Sequence, residues 1–136
     1  MDHELFEAAK AVRLRAHDRY SGFKVGVAIR TRAGTIHTGC NVENASFPEG
    51  WCAETTAIGA MVASSDPGDG RHIAAVVVVA DAIDGRPTTP CGGCRQRLAE
   101  FGRPETAVGC YDPEGRGAAF SLAELLPQSF ALKSDR

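Results

Sequence analysis

Apolar positions change period several times along the 136-residue chain, and each change marks an element. In DHELFEAAKAVRLRAHDR (2–19), Leu5, Phe6, Ala9, Val12 and Ala16 recur at helical spacing among good helix formers. This predicts an amphipathic helix, closed by Tyr20-Ser21-Gly22. Period two takes over in FKVGVAIR (23–30), which reads as a strand; Thr31-Arg32-Ala33-Gly34 turns, and TIHTGC (35–40) pairs back. NVENASFPEG (41–50) has the Asn, Pro and Gly of a loop. WCAETTAIGAMVAS (51–64) is helical, and SDPGDGR (65–71) is a loop. The continuous β-branched run in HIAAVVVVAD (72–81) predicts a strand buried on both faces. After the loop 81–90 come a short helix CGGCRQRLAEFG (91–102), a strand ETAVGCY (105–111) and a short helix SLAELLP (121–127) stopped by Pro127.

The order α-β-β-α-β-α-β-α implies an α/β fold, a three-layer α/β/α sandwich around a mixed sheet of about five strands. The length, with no repeat and no linker, predicts a single domain over 1–136. Seventeen acids against fifteen Lys and Arg give a net charge of −2 and no basic stripe, which argues against nucleic acid as a partner. The start MDHELFEAAK puts acids where a secretory leader carries bases, and IAAVVVVA (73–80) is too short to span a bilayer. These features predict a cytoplasmic protein with no membrane contact. In a reducing compartment its five cysteines read as ligands, catalytic groups or buried residues rather than disulfides.

Chemistry concentrates at two helix starts. CGGC (91–94) puts two sulfurs within reach of one ion, and Cys52 stands 39 residues earlier at the start of another helix. The strand between them carries the chain across the sheet, so the two helix N-termini can meet at one sheet edge. Their positive ends favour thiolates. Three thiolates with a fourth position open suit a catalytic zinc site, since structural sites close with four ligands. Glu54, two residues past Cys52, stands where a general acid/base would act without binding the metal. The four histidines, His3, His17, His37 and His72, have no ligand spacing. Cys40 and Cys110 read as small buried residues.

YSGFKVGVAI (20–29), GCNVENASF (39–47), CAE (52–54), PCGGCRQ (90–96) and LLPQSF (125–130), in that order, resemble the cytidine deaminase family of the small, three-cysteine type. The resemblance implies hydrolytic deamination of cytidine or deoxycytidine to uridine or deoxyuridine with release of ammonia, in pyrimidine salvage. It implies one Zn2+ per subunit on Cys52, Cys91 and Cys94, with Glu54 shuttling protons from water to the ring nitrogen N3 and then to the leaving amine. It further implies that Asn41 and Glu43 hold the sugar hydroxyls and that Phe23 lines the pocket. The Ala53 N–H would meet the base carbonyl, and the Thr89 carbonyl would accept from the departing amine. Phe130 would reach a neighbouring subunit's pocket in a homotetramer.

Two residues depart from the family pattern beside the chemistry. Thr55 stands where an arginine is expected to offset the thiolate charge; Arg95, Arg97 or the helix dipoles are left to compensate, and otherwise the pH optimum moves up. Trp51 brings a large ring next to the first ligand. The departures keep open the same reaction on another aminated base or a modified or antibiotic cytosine nucleoside. A non-catalytic zinc or redox module is the reading from a different class.

Overall fold

The computed structural model describes residues 1–132. Its five strands are β1 (Val25–Thr31), β2 (Ile36–Cys40), β3 (Ile73–Ala80), β4 (Ala107–Tyr111) and β5 (Gly117–Ser121). Its α-helices are α1 (His3–Arg13), α2 (Ala53–Ala63), α3 (Gly92–Phe101) and α4 (Leu122–Leu125). They form one mixed sheet in the order β2-β1-β3-β4-β5, in which β3–β4 is the parallel pair and the other neighbours are antiparallel.

Alternation along the central strands sorts the core into two layers. Ala28, Val77 and Val79 face Leu5, Phe6 and Ala9 of α1. Val27, Ile29, Val76 and Val78 turn the other way, towards Ala57 and Met61 of α2 and Leu98 of α3. Helices therefore cover both faces, which is why β3 can be apolar without interruption. Two glycines set how closely the helices seat. A Cβ at Gly26 would lie 2.0 Å from the Ala9 carbonyl oxygen, and one at Gly39 would lie 2.3 Å from the Ala57 nitrogen.

The first helix is shorter than its pattern suggests. Asp2 caps it, accepting from the Leu5 N–H at 3.1 Å, but it ends at Arg13 rather than running to 19. Beyond it, the His17 N–H donates to the Asn41 carbonyl, and the Glu43 N–H donates to His17. Pairing with the 41–43 segment outweighs the weak local preference for helix. The strand β5 is an addition to the elements read from the pattern. Its sequence GAAFS has little β character, and only the preceding turn at Asp112-Pro113-Glu114-Gly115, held by Asp112 Oδ1 accepting from Glu114 and Arg116, announces it.

Because β2 and β3 are both antiparallel to β1, they run parallel to each other. The helices that follow them, α2 and α3, consequently start at the same edge of the sheet. Carboxyl ends of parallel strands are where α/β folds place their ligands.

Candidate active site

The site is built on two helix caps. Cys52 is the N-cap of α2 and Cys91 the N-cap of α3; both have extended backbones, and neither side chain bonds its own helix. A Ser or Asp there would turn its oxygen onto the N2 or N3 amide. The sulfurs instead turn towards each other, 3.9 Å apart. Cys94 Sγ, from the first turn of α3, completes a cluster whose three sulfurs lie within 4.8 Å of one another. Among the described residues this is the one group of three or more His, Cys, Asp or Glu side chains with metal-binding geometry. A soft three-sulfur donor set with no fourth protein ligand fits zinc in an open site.

The electrostatics distribute charge unequally among the sulfurs. The hydrogen bond from the Cys94 thiol holds Cys52 well below the ordinary thiol range, with further help from Cys91 and the positive charge of Arg97 against the cost of burial. Cys94, as that donor and as a buried group, is pushed up. Glu54, only 4% exposed, has its carboxyl pushed up by burial, partly opposed by a hydrogen bond from backbone N–H. A carboxyl so placed exchanges a proton nearer neutrality than an exposed one does.

A cavity of about 630 Å³ opens above the cluster. Cys52, Cys91, Ala53, Glu54 and Thr89 line its inner end, and Phe23, Asn41 and Glu43 line its wall. Ala53 is the first residue of α2, so its N–H has no partner within the helix. Asn41 and Glu43 also hold the wall together. Asn41 accepts from the Val25 N–H at 2.8 Å and donates to the Phe23 carbonyl at 2.9 Å. Glu43 accepts from the N–H groups of Tyr20 and Ser21 and from the Ser21 hydroxyl, which lowers its pKa. Each keeps spare capacity beyond these bonds, one amide hydrogen on Asn41 and further lone pairs on Glu43.

The rim is aromatic: Tyr20, Phe47 and Trp51 are 45%, 74% and 48% exposed. Trp51 is fixed on both sides. Its backbone pairs with Val42, and its Nε1 donates to Thr56 Oγ1 at 2.7 Å, which in turn donates to the Cys40 carbonyl.

Three named residues lie apart from the cavity. Phe130 is 66% exposed and lines no part of it; Gln96 Nε2 donates to its carbonyl. Arg95 directs its guanidinium away from the thiolates, to the Pro90 and Leu125 carbonyls and Thr89 Oγ1, and so staples the loop that carries Cys91. Thr55 buries its hydroxyl without a partner among the described residues. Cys110 is buried in the core, whereas Cys40 is only partly covered. Sequence reasoning did not single out Tyr20, Ser21 and Val78 as part of the cavity; the strand register that places Val78 there has no local signal.

The model of the cytidine and deoxycytidylate deaminase zinc-binding region matches residues 1–110. A cytidine deaminase of Sporosarcina psychrophila is 40% identical over 133 residues, 96% of this chain and 93% of that protein. That of Halalkalibacterium halodurans is 37% identical over 131 residues, 96% of this chain and 95% of that protein. The crystal structure of cytidine deaminase from Burkholderia pseudomallei superposes with a TM-score of 0.84 at 43% identity, covering 96% of this chain and 99% of that one.

Proposed function

The chain belongs to the cytidine and deoxycytidylate deaminase family, and we propose that it hydrolyses cytidine and deoxycytidine to uridine and deoxyuridine, releasing ammonia. The observation that carries this reading is a buried carboxyl, Glu54, beside three clustered sulfurs at the inner end of a nucleoside-sized cavity.

Cys52, Cys91 and Cys94 would hold the zinc. When bound there, zinc supplies Lewis acidity, lowering the pKa of a water molecule from about 16 to about 7. Glu54 takes the proton of the attacking water and delivers it to N3 of the ring. Oxygen bonds to C4, and Glu54 then carries a second proton to the exocyclic amine. The C4–N bond breaks, and ammonia leaves. Water and the nucleoside supply every atom of the products, and no electrons are exchanged.

The Ala53 N–H orients the base through its carbonyl, and the Thr89 carbonyl accepts from the amine. Phe23 packs against the ring. Asn41 and Glu43 receive the sugar hydroxyls with the capacity they keep beyond their internal bonds. The exposed aromatic rim and the outlying Phe130 support a homotetramer in which a neighbour's Phe130 closes the cavity. Among the described residues no helix is long and apolar enough to cross a membrane.

The test is ammonia release from cytidine and deoxycytidine by the zinc-loaded protein, with Glu54→Gln as control. Wild-type turnover should fall by at least about 10²–10⁴-fold in the variant, while zinc content stays the same. A folded, zinc-replete wild type that deaminates neither nucleoside would overturn the substrate assignment and move the search to other aminated bases.

A further inference from the structure

Three thiolates around one dication sum to a charge of −1, on a cluster in which Cys94 is buried, Cys52 half-buried and Cys91 exposed. The two helix N-termini offset part of that charge as fractional dipoles. A whole positive charge must come from a side chain.

On α2, one turn past Cys52, stands the neutral Thr55 with its unpartnered hydroxyl. On α3, one turn past Cys94, stands Arg97, whose Nη1 donates to Cys94 Sγ at 3.7 Å. Gly93 opens the way: a Cβ at that position would lie 2.9 Å from Arg97 Nη1, so a side chain there would push against the guanidinium. Among the described residues no carboxylate forms an ion pair with Arg97. Arg95 is not an alternative, because its donors are engaged with Pro90, Leu125 and Thr89.

We infer that Arg97 is the charge-compensating residue of this thiolate cluster, orienting Cys94 through an N–H···S hydrogen bond and supplying from α3 the cation that α2 lacks. The inference rests on the zinc-deaminase reading of the site. Arg97 touches neither substrate nor the reacting atoms; it acts through Cys94. With the charge compensated from α3, the reason to expect an alkaline shift of the pH optimum from Thr55 falls away.

The experiment measures zinc dissociation constants by chelator competition for the wild type and for Arg97→Lys, Arg97→Gln and Arg97→Glu. Each is also loaded with cobalt(II) to read the thiolate-to-metal charge-transfer band, and folding is checked by circular dichroism. Arg97 is solvent-exposed, so all three side chains can be accommodated. Lysine keeps the charge and should stay close to wild type. Glutamine should weaken binding by about tenfold or more, and glutamate further. The cobalt band should move to lower energy in the glutamate variant, whose carboxylate has no N–H to donate, because a sulfur without its hydrogen bond gives up electron density more readily. Equal affinities and an unmoved band across the folded series would overturn the role of Arg97. A wild type that binds no zinc, or cobalt without a thiolate band, would overturn the zinc reading itself.

Discussion

At the scale of single residues, the clustering of Cys52, Cys91 and Cys94 was legible because thiols in that spacing have few other uses, and Glu54 was legible as an acid placed beside them. What surrounds them was less so. Asn41 and Glu43 line the cavity but also clasp the 20–25 segment, and nothing in NVEN tells a reader that a side-chain amide will bridge Phe23 and Val25. Thr55 illustrates a different limit. Its identity was visible, yet its burial without a partner is a property of the packed helix. A buried hydroxyl that makes no hydrogen bond costs about 1–3 kcal/mol of desolvation. Thr55→Val keeps the branched shape and removes that cost. The variant should gain about 1 kcal/mol, raising the melting temperature by a few degrees with zinc content unchanged. A loss of stability would show that an ordered water satisfies the hydroxyl.

At the scale of elements, pattern located every α-helix and four of the five strands, and erred where tertiary contacts decide. The first helix stops early because His17 is drawn into pairing with the 41–43 segment, which no helical periodicity can report. The strand β5 is Gly- and Ala-rich and exists because β4 offers it an edge. The seating of α2 is set by a glycine on a neighbouring strand. A Cβ at Gly39 would meet Ala57 N at 2.3 Å and Ala53 O at 2.7 Å, both backbone atoms that cannot rotate away. Gly39→Ala should therefore lift α2 from β2 and cost about 1–3 kcal/mol. Because α2 carries Cys52 and Glu54, turnover should fall with it. The matched control is Gly59→Ala on the same helix, where nothing lies within 4 Å of the added Cβ. It should stabilise by about 0.5–1 kcal/mol through helix propensity. Chemical denaturation of the two variants separates the close approach at Gly39 from any general cost of an added methyl. Equal effects would refute the seating argument.

At the scale of the whole molecule, the cavity is left open by its own chain. The inner end is closed by packed helix starts, but the rim exposes Tyr20, Phe47 and Trp51, and Phe130 is exposed and lines no part of the cavity of the chain that carries it. A homotetramer reconciles these features if each Phe130 completes a neighbour's cavity, and that arrangement has a consequence single variants cannot mimic. Glu54→Gln protomers lack the proposed proton shuttle but keep Phe130. Phe130→Ala protomers keep Glu54 but deprive their neighbours of the ring. Each homo-oligomer should be impaired, the first in kcat and the second in kcat/KM through weaker substrate binding. In a mixed assembly, a Phe130→Ala protomer next to a Glu54→Gln protomer regains a complete cavity, with its own Glu54 and the neighbour's phenylalanine. Co-assembly of the two variants should therefore yield more activity than the sum of the separate proteins. If Phe130 served only its own chain, or packed without touching a cavity, mixing would give the sum and no more. The comparison needs only ammonia release from mixed and unmixed preparations at equal total protein, with the oligomer confirmed by light scattering.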